Sequence, residues 1–323
     1  MTSIAVKPEV LEDISCCVCN NSDPKQFTPI YSKEKFEVFS CNTCGFYFIP
    51  PYYRKKIDYG NYKDEKVTEA VRQGNNWVKI QRHKLRLEFI KKYKPSGDLF
   101  DLGAGWGHFM LAAIEMGYNV SGIEISEQPY LFCKNDLKLQ VEHIDFFEMD
   151  ETKKFDVITL WDVLEHIDKA DTFIEKCSRV TKPDGILVLQ VPQIDSFFAK
   201  KYKDDWKMMG LDHVNYFSKK TITILLEKHG YKVEKIKSSF ELKLFIMYTI
   251  LPLLKRLKGT SKAKTTQEAN YEIKASERQQ YFNKFTSRPM WQLKFFVFIH
   301  NIIYNTLSAL NIGEEMMVVA RKK

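Results

Sequence analysis

Cys16, Cys19, Cys41 and Cys44 fall as two pairs in the pattern C-x2-C-x21-C-x2-C. A two-residue spacer turns both thiolates of a pair toward one point, and two such pairs complete the closed tetrahedral shell of a structural zinc ion. Four sulfur ligands leave no position for water or substrate, so the expected role of one Zn2+ per chain is to hold the fold. The alternative, a pair of disulfides, needs an oxidising compartment. One residue separates Cys17 from Cys19, so Cys17 is expected to stand aside, and Cys133 and Cys177 fall in expected helices as small apolar side chains.

A second chemical signal is LFDLGAGWGHF, residues 99–109, where Asp101 closes an apolar run and Gly103, Gly105 and Gly107 follow at alternate positions. Glycines at a strand-to-helix turn admit left-handed dihedrals and let a ligand lie against the main chain. The dinucleotide spacing G-x-G-x-x-G is not met, because His108 stands where its third glycine would be. Glu124 ends the next expected strand, where its carboxylate can accept from both hydroxyls of a ribose. Asp145, with Phe146 beside it, follows the third strand and could meet an adenine amino group and ring. Asp162 follows the fourth strand and opens the stretch DVLEHI. All of these fall at the carboxyl ends of strands, the edge at which open α/β sheets bind ligands.

Bringing these groups together requires strands alternating with helices. DLFDLG, NVSGIEIS, LQVEHID, FDVITLWD and GILVLQVP read as five strands, with helices through HFMLAAIEMG and near residues 127–138. A helix in SKKTITILLEKHG, a strand in YKVEKIKSS and a last strand in EEMMVVARK complete the set. The expected fold is α/β, a doubly wound, mostly parallel seven-stranded sheet of Rossmann-like type, preceded by a small zinc ribbon. Residues 64–94 place Leu85, Phe89 and Ile90 at helical spacing and stop before Pro95, which predicts a helix leading into the sheet. The expected organisation is a ribbon over 1–60, a linking helix over 61–97, a core domain over 98–239 plus 313–323, and a helical insertion over 240–312.

The segments FDLGAGWGHF, GIEIS, HIDFFE, FDVITLWDVLEHI and VTKPDGILVLQVP, in that order, resemble class I S-adenosylmethionine-dependent methyltransferases over roughly residues 97–192. With the cysteine ribbon upstream, the resemblance is closer to members that act on sugars or cell-envelope precursors. The resemblance implies S-adenosylmethionine as cofactor. It implies that Asp101 and the turn of Gly103, Gly105 and Gly107 hold its amino-acid end, Glu124 its ribose, and Asp145 and Phe146 its adenine, with Asp162 also on the cofactor side. Glu165 and His166 of DVLEHI are expected to be structural. Relatives carry similar H-x-x-Y-F-S loops beside the acceptor, which here makes His213 the candidate to accept or relay the acceptor's proton and Tyr216 the residue that orients it.

Residues 291–313 offer 19 uncharged positions between Lys294 and Glu314. His300, Asn301, Asn305 and Ser308 interrupt them, with the last three on one helical face, so a membrane span is not expected. The reading is an amphipathic helix packed on the core or over the substrate pocket, or else one lying in a membrane interface. The insertion 240–312 is therefore a lid or a peripheral membrane element.

Basic and acidic residues number 17 and 11 over 1–97, 18 and 24 over 98–240, and 14 and 6 over 241–323. The net charge of +8 thus sits on two basic flanks around an acidic middle. Apolar content of 44% belongs to a folded protein and excludes a disordered chain. The start MTSIAVKPEVLEDIS lacks a basic patch followed by an apolar core, so a cytoplasmic location is expected, with peripheral contact at the inner face of the membrane as the variant. The leading reading is methyl transfer to a small-molecule or glycan acceptor, either a sugar or a lipid-linked envelope intermediate. The rivals are an RNA base methyltransferase that clamps nucleic acid with its ribbon, and a cofactor-binding protein without turnover. The acidic middle disfavours nucleic acid as partner.

Overall fold

The computed structural model describes residues 14–33, 35–54, 69, 71–72, 74–239, 282–309 and 313–323. Residues 61–68, 70 and 73 of the expected linking segment and most of the expected insertion lie outside the described residues. At the N-terminal end β1 (Phe27–Ser32) pairs antiparallel with β2 (Glu37–Cys41), and β2 with β3 (Tyr47–Phe48). Of the expected linking helix, α1 runs Trp77–Ile90. Gly74 donates its N–H to the Val71 carbonyl, and the Asn75 side chain accepts from the Trp77 N–H. These glycine and asparagine bonds end one helical turn and open the next.

The core then follows in chain order: β4 (Asp98–Leu102), α2 (His108–Glu115), β5 (Asn119–Ile123), α3 (Glu127–Leu131), β6 (Val141–Glu142) and β7 (Phe155–Trp161). After these come α4 (Ala170–Val180), β8 (Thr181–Pro192), α5 (Phe197–Tyr202), β9 (Asn215–Tyr216), α6 (Lys219–Lys228), β10 (Tyr231–Ser239), α7 (Met290–Ala309) and β11 (Glu315–Lys322). The main sheet has seven strands in the order β10-β11-β8-β7-β4-β5-β6. β11 is antiparallel to both of its neighbours, and β4, β5, β6, β7 and β8 pair in parallel. This is the expected α/β fold of class I methyltransferase type. The chain leaves β4 toward β5 and β6 and then returns to β7 on the other side, which puts the topological switch point, where such sheets bind ligands, between β4 and β7.

Helices cover both faces, so the central strands are apolar on both sides. On one face Leu87 and Ile90 of α1 and Phe109 and Met110 of α2 pack with Leu99, Val157 and Val188. On the other, Ile174 of α4 and Leu225 of α6 pack with Phe100, Ile158 and Leu160, and this second layer continues unbroken into Phe39, Phe46 and Phe48 of the small sheet.

The small sheet holds a strand that the sequence did not reveal. β9 pairs antiparallel with β3, Tyr47 opposite Tyr216 and Phe48 opposite Asn215, giving the order β1-β2-β3-β9. Beside that ladder the Ile49 N–H donates to the Val214 carbonyl at 2.9 Å, and the Val214 N–H donates to the Glu165 carbonyl at 2.8 Å. The segment around His213 is therefore laced to the cysteine module on one side and to the DVLEHI turn on the other.

Helix α7 packs against the core with the sidedness opposite to a soluble amphipathic helix. Leu293, Val297, His300, Tyr304 and Ser308 are buried, while Trp291, Phe295, Phe298 and Ile302 are exposed, Trp291 to 69% and Phe295 to 62%. Leu293 and Val297 pack inward in an apolar cluster, and His300 and Tyr304 face inward onto a pocket described below. Among the described residues no helix is long and apolar enough to cross a membrane.

Candidate active site

The turn after β4 reverses sharply, with Gly103, Gly105 and Gly107 all at positive φ. The three glycines serve different ends. A Cβ on Gly107 would meet Leu139 Cδ1 at 2.6 Å and Cys133 Sγ at 2.9 Å, so protein packing alone forbids a side chain there. A Cβ on Gly105 would meet no protein atom within 4 Å, which leaves open space over the main chain at the point where a ligand is expected.

Glu124, just past β5, is buried, and its two oxygens accept from the Gly105 N–H and the Ser126 N–H, each at 2.7 Å. The carboxylate thus braces the turn, and each oxygen keeps a second lone pair for a ligand hydroxyl. Asp101 is also buried and accepts from the Thr159 hydroxyl at 2.6 Å. Burial pushes its carboxyl up to about 7, the Thr159 bond and Arg86 opposing that shift and Glu124 adding to it.

Asp145 caps a short 3-10 turn by accepting from the Phe147 N–H at 2.8 Å. The structure turns Phe146 away from the role expected of it. Its ring is 4% exposed and packs against Phe173 at 4.7 Å in the core, whereas Phe147 is 44% exposed. Two adjacent phenylalanines gave the sequence no means of telling the inward ring from the outward one. Asp162 sits at φ +58°, and its side chain accepts from Gln190 Nε2 at 3.0 Å.

On the acceptor side, the ring that faces His213 is His166, centroid to centroid 4.7 Å. His213 Nδ1 lies 2.7 Å from the Met208 carbonyl and His166 Nδ1 lies 2.6 Å from the Asp212 carbonyl. A carbonyl can only accept, so both Nδ1 atoms carry protons, and the neutral His213 ring keeps a lone pair on Nε2. Burial first, and His166 second, hold the His213 imidazole below its ordinary range. Glu165 is buried nearby with one carboxylate oxygen lacking a hydrogen-bond partner, and burial and Asp162 push its carboxyl well up. Tyr216 departs from its expected role. Its ring is fully buried among Val38, Ile49 and Trp206, and its hydroxyl donates to the Gly210 carbonyl at 2.9 Å. In β9 it shapes the loop that carries His213 instead of reaching the acceptor side.

Next to Asp162 a cavity of about 310 Å³ opens at the same edge of the sheet. Its wall is Lys79, Arg82, His83 and Arg86 of α1, its roof His300 and Tyr304 of α7, and its floor Asp162, Gln190, Ser239 and Glu315. The floor is a chain of hydrogen bonds. The Tyr304 and Ser239 hydroxyls lie 3.3 Å apart, Ser239 donates to Gln190 Oε1 at 3.2 Å, and Gln190 donates on to Asp162. Nothing in the sequence marked α1 as part of a site, because its cations look like an ordinary solvated face.

Residues 77–236 match the family described as methyltransferase domain. The chain carries a methyltransferase domain. Among its relatives is the ubiquinone biosynthesis O-methyltransferase of Actinobacillus pleuropneumoniae serotype 7, 31% identical over 118 residues, which are 32% of this chain and 50% of that one. The protein of the same name from Pelagibacter ubique is 30% identical over 128 residues, 36% of this chain and 53% of that one. The chain thus spans about half the length of these curated relatives. A solved S-adenosylmethionine-dependent methyltransferase from Archaeoglobus fulgidus aligns at 21% identity with a TM-score of 0.45, over 74% of this chain and 92% of that one.

Ahead of the methyltransferase domain, the sulfurs of Cys16, Cys19, Cys41 and Cys44 all lie within 4.8 Å of one another, and Cys16–Cys44 and Cys19–Cys41 are each 3.6 Å apart. A tetrahedral ion with bonds of about 2.3 Å to sulfur has edges of about 3.8 Å, so the donor set and its spacing suit zinc. All seven cysteines are free thiols, not disulfides. Cys17 stays outside the quartet, and burial pushes its thiol up to about 12.

Proposed function

We propose that this chain transfers the methyl group of S-adenosylmethionine to a hydroxyl of a small-molecule acceptor, a sugar or a lipid-linked envelope intermediate. The observation that carries the reading is the convergence, at one sheet edge, of a braced glycine turn with open space over Gly105, a cavity beside Asp162, and an imidazole with a free Nε2 lone pair. Relatives named O-methyltransferases support oxygen as the acceptor atom.

The bound cofactor supplies an electrophilic methyl group, and displacement at that carbon asks the protein for alignment and for somewhere to send a proton. Asp101 and the Gly103–Gly107 turn would hold the cofactor's amino-acid end, Glu124 its ribose and Asp145 its adenine. His213 takes the acceptor's proton at Nε2, because its Nδ1 proton is committed to Met208 and burial keeps the ring neutral. His166, its Nδ1 bonded to the Asp212 carbonyl and its ring against His213, holds that side of the loop in place. The four-cysteine site would hold one structural zinc. The outward apolar stripe of α7 supports contact with a membrane surface, where a lipid-linked acceptor would be met.

The test is transfer of labelled methyl from S-adenosylmethionine into a cell extract fractionated into RNA, soluble metabolites and lipid-linked material, with Glu124→Ala in parallel. Label that depends on Glu124 and enters metabolites or lipid-linked material is the expected result. Label in RNA would overturn it.

A further inference from the structure

The pocket between α1 and α7 gathers three cations, Lys79, Arg82 and Arg86, on one wall, against two carboxylates, Asp162 and Glu315, on the floor. Lys79, Arg82 and Arg86 project from one face of α1, and none of the three is fully exposed. Like charges three or four residues apart on a helix cost stability, and more so when water does not screen them. The groups around them register this. Burial first and then Arg82 pull the Lys79 ammonium down to about 8. Burial and then Arg86, His108, Arg82 and Lys79 hold His83 well below its ordinary range. Burial and Arg82 bring His300 down to about 4, with only a bond to Asn301 opposing them. Two polar atoms of the lining, His83 Nδ1 and His300 Nε2, are buried with no hydrogen-bond partner among the described residues. Arg86 also stacks on the Trp161 ring at 4.5 Å, which fixes its guanidinium at the end of β7.

We propose that this pocket receives an anionic group of the acceptor, a phosphate, diphosphate or carboxylate, held by Lys79, Arg82 and Arg86 and closed over by His300. The proposal rests on the methyl-transfer reading above and adds the class of acceptor. A volume of about 310 Å³ lies at the small end of the range for ligand pockets, about 300–1,000 Å³, and suits one part of a molecule that extends beyond it. Arginine forks match the paired oxygens of phosphate and carboxylate. Asp162 lines the pocket, and the turn just after it carries His166, whose ring faces His213 at 4.7 Å, so an anion anchored against α1 leaves the rest of the acceptor on the side of the imidazole.

The first measurement is calorimetric titration of S-adenosylhomocysteine into the full chain. Absence of binding would sink the methyl-transfer reading itself. Inorganic pyrophosphate is then titrated into the S-adenosylhomocysteine-loaded protein at constant ionic strength. The expected result is saturable binding that weakens at least tenfold in Arg82→Gln/Arg86→Gln, with S-adenosylhomocysteine affinity kept within about threefold as the check on folding. No binding of pyrophosphate by a protein that binds S-adenosylhomocysteine, or binding indifferent to the two substitutions, would overturn the proposal. A second readout does not depend on the variants. Labelled product from the extract assay should be retained on an anion exchanger, and product that flows through unretained would overturn the proposal. Partition of the retained label between butanol and water separates a lipid-linked phosphate from a soluble one.

Discussion

At the scale of single residues, burial decides which groups are poised to change protonation. The Asp101 carboxyl is raised from 3.8 to about 7, so its contribution to stability is full below about 4, falls as pH rises toward 7 and levels off above that. A cationic amino group arriving beside it reverses the preference and favours the carboxylate. Affinity for S-adenosylhomocysteine should therefore climb with pH up to about 7, by at most tenfold per unit, and binding at pH 6 should release a proton. Calorimetry in buffers of different ionisation enthalpy reads that proton directly, and Asp101→Asn should remove it. For His213 the expected signature is kinetic. His213→Ala should lower kcat by about a hundredfold or more, in the range of lost general-base catalysis, with S-adenosylhomocysteine affinity nearly unchanged. A loss of affinity matching the loss of rate would make His213 a binding residue instead. The sequence pointed to both groups because each ends a strand or sits in a motif loop. It misjudged Phe146 and Tyr216, since the side of a strand or turn on which a ring falls is set by packing partners distant in the chain.

At the scale of elements, the glycine turn and α7 make separable predictions. Gly107→Ala should destabilise the fold by about 2–4 kcal/mol, combining strain at positive φ with overpacking against Leu139 and Cys133. Gly105→Ala meets no protein atom, so it should cost only about 1 kcal/mol in a denaturant melt while weakening S-adenosylhomocysteine binding far more. Equal effects on stability at the two positions would contradict this division of labour. For α7, replacing Trp291, Phe295 and Phe298 with serine should abolish cosedimentation with anionic vesicles and leave thermal stability within a few degrees, because those rings bury little against the core. The long strands and the amphipathic helices were legible from their periods. The orientation of α7 was not, because apolar residues fall on both of its faces, Leu293 and Val297 inside and Trp291, Phe295 and Phe298 outside, so spacing alone does not choose between them.

At the scale of the whole molecule, the two sheets are not independent units, since β9 belongs to the small sheet by pairing and to the core domain by chain position. Chelation of the metal should therefore suppress methyl transfer while leaving S-adenosylhomocysteine binding within about threefold, because the residues proposed to hold the cofactor follow β4 to β7 and His213 lies just ahead of the strand laced to the cysteine module. Metal analysis should find close to one zinc per chain, and a metal-free protein with full activity would refute this coupling. A two-residue strand such as β9 has no period to read, which is why VNYF looked like loop. Its pairing also constrains descent. A recombination event that exchanged the first 54 residues alone would bring in a β3 fitted to someone else's Asn215 and Tyr216, so the ribbon and the His213 loop, more than 150 residues apart in the chain, are best inherited as a matched pair.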